Sequence, residues 1–386
     1  MQTDAYIYLD ANATTPLDSV VRDAMTPYYG EAYGNASSPH APGRRARQAL
    51  EEAREEVAAL LGARPEEILF TASATEANNQ VLRGVRSPDA TRRRLALSGG
   101  EHDSLWKTAQ QLRREQIAVD VIALQSDGMI AAASYRHILT QQPVLVSIAY
   151  ANHETGVIQD IPALAQQAKS AGAIFHTDAV QAAGKLPLRI TDLGVDLLTL
   201  SGHKIYGPQG VGVLYIRRGV LLESLLYGGA QERRRRAGTE NVPACVGMAR
   251  ALALAVTRLE TDAAHYAKLR KLFITTLRQT DAMIQITGTA APRLPNTVHV
   301  LAPGVRNEVL LMRLDLAGIG ISTGSACASG AAEPSHVLAA MGIPAAAARG
   351  ALRISFLRDT TAAAAAQAAT LLGRLARELR GAPPTI

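Results

Sequence analysis

Two polar residues, Asp178 and Lys204, stand at the ends of apolar runs that have the composition of buried β-strands. Asp178 ends the stretch FHTD, and Lys204 lies in the glycine-flanked turn SGHK that follows LLTL. Ligands of open α/β sheets bind at the carboxyl ends of the strands. We therefore expect both side chains at one rim of a sheet. The alternative is a structural ion pair between two strand ends.

An aspartate and a lysine at such a rim suit the cofactor pyridoxal phosphate (PLP). The lysine amine can bond to the cofactor's aldehyde, and the aspartate can keep the pyridine nitrogen protonated so that the ring accepts electrons. For an arbitrary Asp and Lys the structural ion pair would be the better interpretation. The SGHK turn around Lys204 favours the cofactor.

A phosphate site is predicted in TASATEANN, residues 71–79, between a strand and a helix. Small residues at 72–74 let a ligand approach the backbone. The start of the helix offers free N–H groups and the positive end of the helix dipole. The alternative is an ordinary helix cap by Thr75, with Glu76 in the first turn.

The cysteines and one histidine are the remaining candidates for chemistry. Cys327 lies in STGSACASGAAEPSHVL, where small residues have little to bury, so we expect an exposed surface loop. Its thiol is either a nucleophile or an inert loop residue, and the residues alone favour neither interpretation. Cys245 falls on an apolar helix and should pack in the core. His102 follows a predicted strand, and a lone histidine there is more often structural than catalytic.

The elements that must position these residues alternate between strands and helices. The predicted strands span 68–71, 94–97, 119–123, 144–150, 173–176, 197–201 and 212–216. The predicted helices between them span 44–61, 76–83, 105–115 and 161–171. Because the strands are continuous apolar runs, both faces of their sheet should be covered. The pattern predicts an α/β fold with a mostly parallel seven-stranded sheet.

The character of the chain changes after residue 241. Long helices are predicted at 242–259 and 263–277, followed by strands at 296–300, 320–323 and 352–356 and helices at 308–316 and 360–380. This part predicts a smaller α/β domain. We place the large domain at 16–258 and the small domain, which carries the Cys327 loop, at 1–15 and 259–386.

Composition limits the class of protein. The 386 residues are 47% hydrophobic and 19% charged, with a net charge of +6. This excess is modest, and a solvated charge run is the commoner interpretation of the arginines at 233–236, so no nucleic acid is expected. Two cysteines make no disulfide framework and no zinc spacing, which favours a reducing compartment. With neither a signal peptide nor an apolar run of membrane-spanning length, we expect a cytoplasmic protein without membrane contact.

The motifs YLDANATTP, TASATEANN, FHTDAVQ, SGHK, RAGTEN, STGSAC and RISFLRDTT occur in an order and spacing that resemble the cysteine desulfurase family. This family belongs to the class V aminotransferase superfamily and has the PLP fold-type-I architecture. The resemblance runs almost from end to end. It implies a homodimeric PLP enzyme that takes sulfur from L-cysteine, releases L-alanine and holds a persulfide on Cys327. The segment after Cys327 resembles the long-loop group, which passes persulfide directly to acceptor proteins.

The resemblance also implies roles for individual residues. Lys204, Cys327 and His102 would be catalytic, with His102 stacked on the PLP ring and able to move protons. Arg353 would bind the substrate carboxylate, and Asn35 is a lesser substrate-binding candidate. The implied cofactor ligands are Ala74, Thr75, His153, Asp178, Gln181, Ser201, Gly202, His203, Lys204 and, from the other subunit, Thr239. Within this set, Gln181 would hydrogen-bond the phenolic oxygen of the ring.

The implied partners are L-cysteine and an acceptor protein, either an iron–sulfur scaffold or a sulfur carrier for tRNA or cofactor thiolation. No intrinsic metal site is expected, apart from an iron–sulfur cluster shared transiently through Cys327 with a scaffold. Other interpretations on the same fold are a selenocysteine lyase and a class V aminotransferase, although an aminotransferase has no use for the Cys327 loop. A non-enzymatic sulfur-relay or scaffold protein is the third, and the joint presence of Lys204, Asp178 and His102 counts against it.

Three positions depart from the family pattern. His153 stands where a second asparagine is usual, and it can also donate a hydrogen bond to the cofactor. Arg234 and Leu357 each replace a common glycine. These changes concern the fine geometry of the site and leave the reaction class as it is.

Overall fold

The computed structural model describes residues 6–87, 93–323 and 335–381. The strands are β1 Ile7–Tyr8, β2 Ile68–Thr71, β3 Leu95–Ser98, β4 Val119–Ile122, β5 Leu145–Ser147, β6 Ile174–Asp178, β7 Leu197–Ser201, β8 Gly212–Ile216, β9 Gln285–Ile286, β10 Thr297–Leu301, β11 Ile319–Gly320 and β12 Ala351–Ser355. The helices are α1 Ser19–Met25, α2 Ala41–Leu61, α3 Ala74–Gly84, α4 Asp103–Arg114, α5 Ala132–Thr140, α6 Ile161–Ser170, α7 Ile190–Leu193, α8 Gln231–Arg234, α9 Val242–Thr257, α10 Leu259–Thr280, α11 Asn307–Leu316, α12 His336–Ala340, α13 Ala345–Ala348 and α14 Ala362–Gly381.

The central sheet has seven strands in the order β2-β8-β7-β6-β5-β3-β4. Strand β8 runs antiparallel to both of its neighbours, and the other adjacent pairs are parallel. The strands β2, β3, β5, β6 and β7 therefore all point their carboxyl ends to the same edge. The predicted α/β fold with a mostly parallel seven-stranded sheet is confirmed.

Hydrophobic side chains cover both faces of this sheet. Along β2, Ile68 and Phe70 pack in a core with α2, α6 and α9, whereas Leu69 packs in a second core with α3 and α4. Alternate residues of a strand face opposite sides, so a strand buried on both faces is apolar throughout. All four residues of β2 are buried accordingly.

A third core lies among β10, β12, α10, α11 and α14. Here β10 pairs antiparallel with β12 and β9, and β1 pairs parallel with β11. The first core extends to Ala255 in α9, and the third begins again with Tyr266 in α10. This change of core supports a domain boundary near residue 258, which stays a prediction.

Several predicted elements are shorter in the structure, and the difference relative to their length is largest for two strands. The strand predicted at 144–150 ends at Ser147, although the backbone N–H groups of Ile148 and Tyr150 still donate to the carbonyls of His176 and Asp178. The strand predicted at 320–323 is limited to β11. Within the described ranges no single helix has the length and apolar composition of a membrane span. The bent pair α9 and α10, which meet at 69°, meets that test of length and composition only when the two helices are taken together.

Candidate active site

A cavity opens at the carboxyl edge of the sheet and holds about 640 Å³ of space not filled by protein atoms, including solvent at its mouth. Each wall comes from the segment that follows a parallel strand. The lining residues are Ala74, Thr75, Asn78, His102, Ser104, Ala149, Ala151, His153, Asp178, Val180, Gln181, Ser201, His203 and Lys204. The parallel strands thus bring together residues that lie far apart in the sequence.

Lys204 lies at the end of the 3-10 turn Gly202–Lys204, directly after β7. Its Nζ donates to the backbone carbonyls of Asn12 (2.5 Å) and Ala13 (2.8 Å). Two carbonyl acceptors from the N-terminal segment thus hold the amine of Lys204 in place. The N-terminal segment is therefore part of the site.

Asp178 ends β6 and is buried. Its Oδ1 accepts from the backbone N–H of Val180 (2.9 Å), and its Oδ2 accepts from Nδ2 of Asn78 (2.8 Å). Asn78 also donates to Ser104 Oγ (2.9 Å). These two bonds fix the orientation of the Asp178 side chain in the cavity.

Asn78 was not among the residues predicted for the site. It lies four residues after Ala74 on α3, so a helical spacing places the two on the same face of the helix. The sequence signal was present in TASATEANN, where the motif continues past the helix start. Nothing in the sequence by itself showed that α3 turns this face toward Asp178.

His102 is the N-cap of α4, and its Nδ1 accepts from the backbone N–H of Ser104 (3.1 Å). The proton of the neutral ring therefore lies on Nε2. Burial lowers the pKa of His102, the charge of Asp178 acts to raise it, and Lys204 lowers it. A neutral imidazole with a defined tautomer can accept a proton on one step and return it on another.

His153 faces His102 edge to face, with ring centroids 5.2 Å apart. The pKa of His153 is well below its usual range. Burial is the largest cause, and electrostatic interactions with the nearby His102 and Arg353 lower the pKa further. The ring is therefore neutral and carries one N–H donor. A neutral side chain with one donor can replace the asparagine expected at this position, and this role of His153 stays a prediction.

The phosphate corner forms where β2 meets α3. Ser73, not Thr75, is the N-cap, because its side chain accepts from Glu76 N (3.1 Å). The first N–H groups of a helix have no intrahelical partner. On the neighbouring strand, a Cβ at Gly212 would lie 2.7 Å from the backbone of Ser73, so only glycine permits this close approach. Thr75 therefore does not cap the helix, and its side chain is exposed at the cavity.

The cavity fits a molecule such as PLP. It offers the N-terminus of α3 to a phosphate, Asp178 to a ring nitrogen and Lys204 to an aldehyde. Gln181 is buried, and its Oε1 has no hydrogen-bond partner among the described residues, while its Nε2 donates to the carbonyl of Asn12 (3.0 Å). A buried amide that is incompletely satisfied and lines a cavity indicates a polar ligand.

Arg353 and Asn35 lie outside the cavity lining. Arg353 is buried on β12 and donates to Asp10 Oδ1 (2.7 Å) and to the carbonyl of His153 (3.0 Å). It therefore lies directly behind a cavity residue. Asn35 is exposed, and its side chain accepts from Ser37 N (2.8 Å).

Among the other predicted positions, Thr239 is exposed and does not line the cavity of its own chain. Gly202 lies behind Ser201, and a Cβ there would meet Pro208 O at 2.8 Å. Cys327 lies outside the described residues. Cys245 is 2% exposed on α9, and burial raises its pKa, so the prediction that it packs in the core is confirmed.

Arg234 lies in a stretch of left-handed backbone. Glu232, Arg233 and Arg234 have φ of 48°, 57° and 64°. This left-handed region favours glycine, and each other residue in it costs about 1 kcal/mol. Buried Glu232 is held in this conformation by Arg54, which donates to both of its carboxylate oxygens at 2.8 Å.

Comparisons with known proteins agree with this geometry. The model of the family Aminotransferase class-V matches residues 7–366. A cysteine desulfurase of Rhodobacter capsulatus is 45% identical over 99% of this chain and 100% of its own. Among solved structures, a NifS-like protein superposes with a TM-score of 0.90 at 35% identity and covers 97% of this chain and 100% of its own. The protein SspA in complex with cysteine has a TM-score of 0.79 at 30% identity and covers 91% and 98%.

These relatives cover nearly the whole chain, at identities well above the level at which only the fold is shared. The strand order of the sheet and the cavity at its carboxyl edge lie within the matched residues. The chain is thus an enzyme with cysteine desulfurase function, and it belongs to the cysteine desulfurase family of the class-V aminotransferases.

Proposed function

We propose that this enzyme binds PLP in the cavity described above, removes sulfur from L-cysteine and holds it as a persulfide on Cys327. The observation that carries the proposal is the convergence of Lys204, Asp178 and His102 on one cavity. The solved relative that binds cysteine supports L-cysteine as the substrate.

The cofactor, when bound, supplies an electron sink that makes the α-proton of the substrate acidic. Asp178, oriented by Asn78 and the Val180 amide, holds a proton on the ring nitrogen. The backbone at Ala74 and Thr75 binds the phosphate, together with Ser201, Gly202, His203 and the Thr239 of a second subunit. His153 and Gln181 donate to the polar ring substituent.

Lys204 acts as the base at the substrate Cα. Its amine must leave the carbonyls of Asn12 and Ala13 and lose a proton before it can accept another. His102 exchanges a proton at Nε2, since its Nδ1 is already occupied by the Ser104 amide. Arg353 pairs with the substrate carboxylate as a bidentate fork, which requires rearrangement of its contact with Asp10.

Cys327 is the nucleophile that takes the sulfur from the substrate. Its thiolate forms a bond to the sulfur of the substrate while the substrate Cβ–S bond breaks, and the carbon takes a proton, so that L-alanine leaves. Cys327 then carries the extra sulfur until an acceptor thiol attacks it. The acceptor is an iron–sulfur scaffold or a sulfur carrier, and the enzyme works as a cytoplasmic homodimer without nucleic acid or membrane.

Variants of the two cysteines test the proposal. Cys327→Ala should bind PLP and react with L-cysteine with a colour change, yet release almost no sulfide or alanine, and Cys327→Ser should do no better. Cys245→Ala is the control and should stay active with some loss of core packing. Mass spectrometry of the wild type after brief exposure to L-cysteine should find one extra sulfur on the Cys327 peptide. Wild-type desulfuration by Cys327→Ala would refute the persulfide mechanism.

A further inference from the structure

Arg236, the last arginine of the run 233–236, reaches from its loop to the first turn of α3. Its Nε donates to Oε1 of Glu76 (2.9 Å), and its Nη2 donates to Oε2 (3.2 Å). The side chains of this ion pair are only 19% and 13% exposed, so salt and water screen the pair less than a surface pair. Arg236 is thus a paired side chain, unlike the solvated arginine that the run by itself indicates.

Glu76 lies where an uncompensated negative charge would oppose a phosphate. It directly follows the cavity residue Thr75 in the first turn of α3. Its Oε2 also accepts from the backbone N–H of Ala72 (3.0 Å), which holds the carboxylate over the start of the helix. The positive end of a helix dipole stabilises a carboxylate, and it is the same end that attracts a phosphate. Two anions at one helix end repel each other.

The fold positions Arg236 for this contact through the residue before it. Gln80 lies one turn after Glu76 on α3 and is buried, and its Nε2 donates to the backbone carbonyl of Arg235 (3.1 Å). One helix therefore fixes both the backbone next to Arg236 and the carboxylate that its guanidinium binds. The ion pair is in place before any ligand arrives, so binding has no ordering cost for these two side chains.

We propose that Arg236 is a positioning residue for the phosphate group of PLP, which acts by compensating the charge of Glu76 at the N-terminus of α3. This inference rests on the proposed function and deepens it, because it concerns the phosphate end of the same cavity. With Arg236 present, Glu76 keeps its bond to Ala72 and the start of the helix stays attractive to an anion. Without Arg236, a phosphate of charge near −2 meets a second anion in a partly buried site.

The test compares PLP with pyridoxal, which has the same ring and aldehyde but lacks the phosphate. Equilibrium dialysis of the enzyme stripped of PLP gives the affinity for each. Arg236→Met should lower the affinity for PLP about tenfold or more, because the charge of Glu76 is then uncompensated. The affinity for pyridoxal should stay within about twofold of the wild-type value, because no phosphate is present to be repelled.

Glu76→Gln separates the charge of the pair from its structural role. Glutamine retains an acceptor for the Ala72 amide but carries no charge. This variant should bind PLP at least as tightly as the wild type. Added to Arg236→Met, it should restore PLP affinity to within about threefold of the wild type, a non-additive result expected of residues that act on each other. Arg236→Lys retains the charge without the planar fork and should show a smaller loss than Arg236→Met.

Arg235→Met is the matched control. It removes the same charge from the neighbouring position, where Nη1 donates to the backbone carbonyl of Glu66 (2.9 Å), and its PLP affinity should equal that of the wild type. An equal loss in this control, or unchanged PLP affinity in Arg236→Met, would overturn the inference.

Two further outcomes would count against the inference: equal losses of PLP and pyridoxal in Arg236→Met, and a loss of PLP in Glu76→Gln as large as that in Arg236→Met. Each would assign the ion pair a structural role alone. If Arg236→Met does not fold, the Glu76→Gln result decides by itself. A wild type that binds neither PLP nor pyridoxal would instead overturn the proposed function.

Discussion

Asn78 Nδ2 donates to Asp178 Oδ2 at 2.8 Å, across the boundary between α3 and β6. The bond joins the helix whose first turn forms the phosphate corner to the carboxylate proposed for the pyridine nitrogen. The residues proposed to hold the two ends of the cofactor therefore lie on elements that are joined by a direct hydrogen bond. A change at Asn78 should affect both.

We expect Asn78→Ala to weaken PLP binding about tenfold, because a hydrogen bond to a charged group contributes about 1.5–3 kcal/mol. Asn78→Asp should bind still more weakly, since a second carboxylate beside Asp178 repels it and favours protonation. Equilibrium dialysis against PLP, followed by absorbance, gives the affinities. Equal affinity of the wild type and both variants would show that this contact does not support the cofactor.

His153 provides a test at a single donor. His153→Asn offers a comparable donor and should retain PLP, whereas His153→Leu should lose a hydrogen bond and about 1 kcal/mol of binding free energy. Because the pKa of His153 lies well below its usual range, the wild-type affinity should show no histidine step between pH 6 and 7 from this residue. The measurement is PLP affinity of all three forms across pH. Identical affinities would show that His153 does not contact the cofactor.

Thr239 tests the proposed homodimer. It is exposed in its own chain and absent from that chain's cavity lining, so we expect it to act in the site of a second subunit. A heterodimer of Lys204→Ala and Thr239→Ala chains would place both lesions in one site and leave the other intact. Activity should return when the two inactive homodimers are mixed and re-associated. Purified, verified heterodimers without activity would argue that the sites are not shared.

The raised pKa of Glu101 predicts how the stability of the folded protein depends on pH. Burial raises the pKa of Glu101 to about 8, against the bonds from Ser98 and Ala149 N that lower it. Between the unfolded value of 4.5 and about 8, the folded state binds more protons than the unfolded state. Stability contributed by the protonated acid is thus lost as pH rises through this range.

We expect the Tm of the wild type to fall by several degrees between pH 6.5 and 8.5, since about 1 kcal/mol corresponds to a shift of roughly 2 °C in a chain of this size. Glu101→Gln should remove most of this fall, because an amide does not ionise. Glu55→Gln, at an exposed glutamate of α2, is the matched control and should behave as the wild type. Thermal unfolding followed by circular dichroism decides the case, and a wild-type Tm that is flat over this range would contradict it.

The sequence predicted the sheet well because its strands are buried on both faces and therefore apolar throughout. The bounds of β2, β7 and β8 are those predicted, and Asp178 and Lys204 lie at one rim as expected. Strand β5 was predicted too long because the apolar run continues past Ser147, where Ile148 and Tyr150 still donate to carbonyls of β6 without extending the strand. An apolar run therefore marks the end of a buried strand less sharply than its middle.

The contacts of Asn12 could not be predicted. Its side chain donates to Thr297 and accepts from Asn296, its carbonyl accepts from Lys204 and Gln181, and its amide donates to Ser355. None of these partners is near it in sequence, so neither periodicity nor spacing can indicate the contact. Only the tertiary structure brings these partners to Asn12 and buries their hydrogen-bond network.

The place of the N-terminal segment has a consequence for biosynthesis. Asn12 and Asp10 are synthesised 343 residues before their partners Ser355 and Arg353, respectively. At an elongation rate of about 5–20 residues per second, this segment waits on the order of 20 to 70 seconds for them. Until then, the segment whose carbonyls accept from Lys204 lacks its contact with Ser355. Nascent chains stalled ahead of Arg353 should therefore have a folded central sheet and yet be unable to retain the cofactor.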